Sequence, residues 1–313
     1  MRVFDATREL VGLSGALRAA GYGFVCVTPA THRLVNGRPG NAMARTVADV
    51  FGWNRPFADG VLPPFVRDAA QAARVLAPHP AGSVSLVRAA GLEGMLLLHS
   101  AFPTEAADAV FFGPDTYRFA QTILGKLGRR SEAVRRALDV GCGTGAGGLL
   151  VARAWPGAEV VLTDINPAAV AAARVNAAAN GIGNVACREA DLFAGVAGLF
   201  DLIVANPPYL VDPAKRIYRH GGGMRGEELS LRIVEGALPL LNQGGSLLLY
   251  TGSAIVEGQD GLLSAVAPML EGGRYAWTYR EVDPDVFGEE LGGGGALAAA
   301  ERIAAVVLEV TRR

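Results

Sequence analysis

The chain has 313 residues, half of them hydrophobic and 19% charged, with 29 Lys and Arg against 30 Asp and Glu. That composition suits a globular chain able to bury one large or two ordinary cores, and the near-neutral balance supplies no overall field to attract nucleic acid. No apolar run approaches the ~20 residues of a membrane helix. The opening MRVFDATREL, acidic by residue 5, lacks a secretory pattern, so a cytoplasmic setting without a membrane partner is expected. Cys26, Cys142 and Cys187 are isolated and odd in number, which fits neither a disulfide framework nor a zinc motif, and no metal is expected.

Residues 1–108 read as a separate α+β auxiliary domain. Leu10, Leu13, Ala16 and Leu17 recur at helical spacing before the stop signals Gly21 and Gly23. Thr28–Asn41 is rich in turn formers, while Ala42–Phe51 and Asp68–Leu76 are helical in pattern. Ser83–Arg88 and Gly94–Phe102 read as a hairpin turning around Ala90-Gly91. Short helices followed by a hairpin resemble a winged-helix arrangement. Ten Arg against six Asp and Glu in residues 1–100 add a mild basic bias, which an exposed surface also explains. His32, His79 and His99 show no ligand-like spacing and read as structural.

Val110–Phe119, VFFGPDTYRF, breaks at Gly113-Pro114. Asp115 or Thr116 then caps a helix over about Tyr117–Leu127, and the aromatic-lined turn is also placed to close over a cofactor. From Ala133 strand and helix patterns alternate, which predicts a doubly wound parallel sheet within residues 109–313. The first strand, Arg136–Val140, runs into DVGCGTGAGG, where Gly141, Gly143 and Gly145 permit a sharp turn and a close backbone approach to a ligand. Gly143-x-Gly145-x-x-Gly148 is formally the dinucleotide fingerprint and leaves an NAD-dependent oxidoreductase open.

The second strand, Glu159–Thr163, ends in Asp164-Ile165-Asn166-Pro167. A carboxylate at that distance beyond a glycine loop is placed to take both hydroxyls of a ribose. The third, Asn184–Glu189, ends at Ala190-Asp191-Leu192-Phe193, where the acid suits an adenine amino group and Leu192 covers the ring. The fourth, FDLIVANPPY from Phe200, is broken at Asn206-Pro207-Pro208-Tyr209. Asp139, Asp164, Asp191 and Asn206 thus fall at the carboxyl ends of successive strands, on the rim where open α/β sheets bind ligands.

Together DVGCGTG, LTDIN, ADLF and NPPY resemble the class I S-adenosylmethionine-dependent methyltransferases. Within them they look like the amino-methylating branch of HemK/PrmC glutamine methyltransferases and small-domain RNA methyltransferases. The resemblance covers about residues 110–255, and NPPY is its most specific part. It implies a seven-stranded Rossmann-like sheet, S-adenosyl-L-methionine as cofactor, and methylation of a planar amino or amide nitrogen. It further implies that Asp139 and the glycine loop hold the cofactor's methionine end, Asp164 with Ile165 and Asn166 its ribose, and Asp191 with Leu192 its adenine. Asn206 and the Pro207 carbonyl would accept hydrogen bonds from the substrate NH2, beside Pro208, with Tyr209 stacked on the substrate plane.

FFGPDTYRF is similar to the family's RPDTE-type segment, which adds Thr116 to the cofactor set. Gly113 stands where that segment has Arg and Tyr117 where it has Glu, a departure that bears on a glutamine substrate. The methyl acceptor is left as protein, RNA or small molecule. A non-catalytic cofactor-binding protein is the remaining class.

Lys215–Arg225, KRIYRHGGGMR, reads as a mobile glycine-rich lid in which Arg216, Arg219, His220 and Arg225 suit an acidic or phosphate group. Arg219 and His220 are the substrate-binding candidates there. Glu227-Glu228 open a helix through Leu241, Gly244–Gly252 forms a fifth strand, and Val256–Leu270 contains another helix. Tyr275–Val282 and Arg302–Val310 complete seven strands. Gly292–Gly295 reads as a flexible loop, and the acids of Glu281–Glu290 read as exposed.

Overall fold

The computed structural model describes residues 3–129, 132–212, 216–293 and 297–313. They fall into two units: Met1–Tyr117 with Gly143–Ala146 and Pro167–Gly183, and Arg118–Cys142 with Gly147–Asn166 and Asn184–Arg313.

In the first unit, α1 (Thr7–Ala19) buries Leu10, Leu13 and Leu17, spaced three and four apart so that they share one face. α2 (Pro29–Asn36) lies where turn formers suggested a loop. Thr28 accepts from the Thr31 amide at 3.1 Å and Pro29 supplies the first helical φ, so the same residue types start a helix. α3 (Val47–Phe51) begins with a capping box between Thr46 and Asp49. α4 (Pro64–Ala72) starts earlier than the predicted Asp68, again at a proline, and ends before Leu76.

Two hairpins follow instead of one: β1 (Leu76–His79) with β2 (Gly82–Ser85), and β3 (Val87–Leu92) with β4 (Met95–Ser100). The second turns at Glu93-Gly94, not at Ala90-Gly91. Glu93 and Gly94 have φ of 50° and 76°, the consecutive positive values a two-residue hairpin turn requires. Gly91 lies within β3 opposite Leu96. The free edge of β4 is closed by two asparagines one turn apart on the helix Pro167–Ala179 and its C-terminal continuation. Asn176 exchanges hydrogen bonds with Leu98 N–H (2.8 Å) and C=O (3.0 Å), and Asn180 does the same with Leu96 (3.1 and 3.0 Å). A side-chain amide carries one acceptor and two donors, so each Asn serves an edge-strand residue as a neighbouring strand would.

The chain continues through α5 (Pro114–Arg129), β5 (Arg136–Val140), α6 (Ala146–Ala154), β6 (Glu159–Asp164), α7 (Pro167–Ala179), β7 (Val185–Glu189) and β8 (Phe200–Ala205). It ends with α8 (Glu228–Ala237), β9 (Leu241–Val256), β10 (Gln259–Asp260), α9 (Gly261–Val266), β11 (Tyr275–Asp283) and β12 (Arg302–Arg312). α5 starts three residues before the predicted Tyr117, because Pro114 is tolerated in a first turn. β9 is longer than Gly244–Gly252: its pairing with β8 shifts between Phe200 and Leu202, and Gly244 at φ 73° absorbs the irregularity.

The sheet runs β11-β12-β9-β8-β5-β6-β7, with the two residues of β10 pairing beside β9. β7, β6, β5, β8 and β9 are mutually parallel, and β12 is antiparallel to both its neighbours. β5, β6 and β8 are buried almost throughout, as parallel strands covered on both faces must be. Gly294 and Gly295 of the predicted flexible loop, and Lys215 of the predicted lid, lie outside the described residues.

Candidate active site

Strand order reverses at β5, which has β6 on one side and β8 on the other. Such a switch point opens a crevice at the carboxyl ends of those strands. The register brings the ends level: Val140 lies opposite Thr163 and Ala205, and Asp164 opposite Glu189. Gly141, Ile165, Asp191 and Asn206 therefore leave the sheet along one edge.

Asp139 does not point out of that edge. It is 1% exposed, and its carboxylate accepts from the Gly148 amide at 2.6 Å, tying the glycine turn to the start of α6. Burial pushes its pKa up to about 7; the Gly148 amide opposes this and the neighbouring Asp164 carboxylate adds to it. A Cβ at Gly148 would come within 2.7 Å of Leu162, and one at Gly147 within 2.7 Å of Phe119 and 3.1 Å of the Asp139 carboxylate. Helix–strand packing thus accounts for the last glycine of the formal dinucleotide fingerprint and for Gly147 beside it.

Gly141 has φ 70° and open space where a Cβ would project, and its amide and that of Cys142 both donate to the Thr163 carbonyl, at 2.8 and 2.9 Å. Gly143 and Gly145, with φ of 53° and 84°, belong to the first unit, as does Thr116. Thr116 lies inside the first turn of α5 and accepts from the Gly113 amide at 3.3 Å.

At the end of β6, Asp164 is 9% exposed and accepts from the Asn166 amide at 2.9 Å in a local turn, while Ile165 beside it stays 52% exposed. The end of β7 is pinned to β6 by the Ala190 amide on the Asp164 carbonyl, at 3.0 Å, and by Thr163 Oγ1 on the Leu192 carbonyl, at 3.3 Å. Leu192 has φ 51°, a conformation a bulky side chain rarely adopts. Asp191 is exposed and faces Arg232 at 3.7 Å.

Asn206 is half-buried, and no hydrogen bond to its side chain is formed among the described residues. Tyr209 is 7% exposed. Its ring packs over Gly252 of β9, where a Cβ would stand 2.8 Å from Cγ, and meets the Phe287 ring at 5.8 Å edge-on.

The described glycines of the 216–226 segment seat this strand end. A Cβ at Gly221 would lie 2.7 Å from the Pro208 carbonyl and 2.8 Å from Tyr209 Cα, and one at Gly226 would lie 2.6 Å from the Tyr209 carbonyl carbon. The Gly221 amide donates to the Leu210 carbonyl at 2.8 Å, so backbone packs on backbone. Arg216, Arg219 and His220 are also engaged, while Arg225 is held among the described residues only through its backbone amide on Glu227. Arg216 forks onto Asp212 at 2.9 and 2.7 Å, holding that carboxyl down to about 2, and Arg219 pairs with Glu290. His220 Nδ1 accepts from the Asp212 amide at 3.2 Å. Of the acids expected to be exposed, Glu281, Asp285 and Glu289 are so, while Asp283 and Glu290 are half-buried in ion pairs with Arg118 and Arg219. Gly221, Gly226, Gly252 and Phe287 were missed as parts of this end of the sheet. The available signal was a glycine inside the apolar run LLLYTGSAIV, which marks close approach of another group.

Residues 119–258 match the family described as methyltransferase small domain. The matched residues contain β5 to β9 and all four strand ends described above. The chain is 37% identical over 191 residues to the release factor glutamine methyltransferase of Deinococcus radiodurans, covering 60% of this chain and 66% of that protein. It is 30% identical over 154 residues to the ribosomal RNA small subunit methyltransferase C of Erwinia tasmaniensis, covering 47% of this chain and 40% of that one. The chain therefore spans less than two thirds of the length of either relative. The solved tRNA m1G37 methyltransferase of M. jannaschii shares the fold, with a TM-score of 0.50 and 15% identity over 82% of this chain and 71% of that one. No described helix is long and apolar enough to cross a membrane, and no described group of His, Cys, Asp and Glu could hold a metal ion.

Proposed function

We propose that the chain is an S-adenosyl-L-methionine-dependent N-methyltransferase acting on a planar amino or amide nitrogen, with a protein glutamine or an RNA base as acceptor. The observation that carries this reading is the Asn206 amide, unengaged within the described residues, at the switch point of a small-domain sheet. The residues around it fit the cofactor: open space over Gly141, the Asp164 carboxylate for ribose hydroxyls, exposed Ile165 for an apolar ring face, and exposed Asp191 for the adenine amino group. When bound, the cofactor supplies a methyl group activated by its sulfonium.

The chain's own part is to orient the acceptor. An amide or arylamine nitrogen is a poor nucleophile because its lone pair is delocalised. The Asn206 Oδ1 and the Pro207 carbonyl would each accept one N–H of that group, which turns the lone pair toward the methyl and stabilises the positive charge developing on nitrogen. Tyr209, fixed between Gly252 and Phe287, forms the wall beside the acceptor, and Pro208 holds it there through the contact of its carbonyl with Gly221. Residues 1–108 are assigned to acceptor recognition.

The test is transfer of radiolabel from S-adenosylmethionine into cell extract, sorted into protein, RNA and small molecules. Asn206→Ala is expected to lower turnover by about a hundredfold or more, the scale for losing an oriented transition-state acceptor, with cofactor affinity retained. Unchanged turnover, or tight binding of NAD in place of S-adenosylmethionine, would overturn the proposal.

A further inference from the structure

Among the described residues, the first unit holds a buried cation without a counter-ion. Arg88 on β3 is 4% exposed and forms no ion pair among the described residues. Its Nε reaches the Ser100 carbonyl at 3.5 Å, a long contact, and its Cζ lies 5.9 Å from the centre of the Phe102 ring. His99, directly opposite on β4, is 1% exposed, and neither ring nitrogen has a hydrogen-bond partner. Tyr22, Cys26, His32 and Tyr117 also feel the Arg88 charge. Burial raises both tyrosines and the thiol and lowers both histidines, so each is neutral near pH 7 and none balances the guanidinium.

Aromatic rings enclose these groups. Phe112 lies 5.4 Å from His99 and 5.2 Å from Tyr117, and His32 sits edge-on to Phe102 at 4.0 Å. Phe102 and Tyr117 are half-buried and reach the surface. A desolvated guanidinium is unfavourable until an anion meets it, and its planar fork matches a carboxylate with two parallel hydrogen bonds. A nucleic-acid backbone would instead be tracked by several exposed cations, whereas Arg88 is enclosed; Arg55 and Arg33 also act on His32, and Arg55 is paired with Asp49.

We propose that the first unit binds a carboxylate, as carried by an acidic side chain or the C-terminus of a polypeptide, on Arg88 and His99 between the Phe102, Phe112 and Tyr117 rings. This inference stands apart from the methyl-transfer reading, since it needs neither cofactor nor turnover.

The probe is benzoate titrated into the full chain, followed by calorimetry and by the NMR resonances of the Arg88 side chain and the His99 ring. Benzamide, of the same shape without the charge, and inorganic phosphate are run beside it. Saturable binding of benzoate with shifts at both residues is expected, with benzamide and phosphate weaker and Arg88→Met weakening benzoate by about tenfold or more. No saturable benzoate binding, equal binding of benzamide, or unchanged affinity in Arg88→Met would overturn the site. Tighter binding of phosphate than benzoate would overturn the carboxylate assignment in favour of a phosphate partner. Should Arg88→Met fail to fold, the three-probe comparison on the unaltered chain decides by itself.

Discussion

Replacing Gly252 by alanine tests how the end of β8 is held. Gly252 is not in the left-handed region, so alanine is allowed by the backbone and would alone gain about 0.5–1 kcal/mol in a strand. Its Cβ, however, would stand 2.8 Å from Tyr209 Cγ, with two further ring carbons nearer still. Non-bonded carbons settle near 3.5–4.0 Å, so the ring must retreat by about 1.5 Å. Overpacking of that kind costs about 1–3 kcal/mol, and losing the Phe287 contact adds about 0.5–1.5 kcal/mol. Gly252→Ala is therefore expected to lower the unfolding free energy by about 1–3 kcal/mol in urea denaturation. It should also reduce turnover more than cofactor affinity, because the displaced ring carries Asn206-Pro207 with it. The decisive comparison is a double-mutant cycle with Tyr209→Ala. Without the ring the alanine has nothing to strike, so its cost should vanish or reverse. An equal cost in both backgrounds would refute the packing argument.

Two further outcomes concern stability. Asp139 titrates near 7 in the native chain, well above the ordinary carboxyl value of 3.8, so the folded state holds a proton that the unfolded state loses first. Its stabilising contribution is complete below the unfolded value, declines as pH rises, and is gone above about 7, on the order of a few kcal/mol in all. Asp139→Asn should flatten that decline in urea melts at about pH 5 and about pH 8; an unchanged slope would show that Asp139 is ionised when buried. Asn176→Ala strips hydrogen bonds from Leu98 N–H and C=O and from the Thr144 carbonyl, and Asn176 is fully buried. A loss of about 2–5 kcal/mol is expected in the same assay, and a loss under about 0.5 kcal/mol, the range of a neutral surface change, would contradict the edge-strand account.

Much of the sheet was readable because its signals are local. Arg136–Val140, Glu159–Thr163 and Phe200–Ala205 announced themselves as apolar runs, each stopped by glycine or by a polar residue followed by proline. That placed Gly141, Asp164 and Asn206 at strand ends. Local signals misled where one residue type serves two purposes. Thr28-Pro29 looked like a turn and starts a helix, and Gly91 looked like a turn and pairs in a strand. Glycines 221–223 looked mobile, yet Gly221 is glycine because the Pro208 and Tyr209 backbone occupies the space of a side chain.

The amino-acid sequence by itself determined the periodicity of the strands, the acids and Asn206 at their ends, and the small-domain motifs that they compose. Only the tertiary structure decided which groups meet. Asp139 turns inward to the Gly148 amide, Arg216 and Arg219 are taken by Asp212 and Glu290, Gly252 receives the Tyr209 ring, and Arg88 meets no anion among the described residues of the first unit. Strand ends follow from neighbours along the chain. Neutralised charges and close approaches depend in large part on residues brought together from tens of positions away, and no spacing rule encodes those meetings.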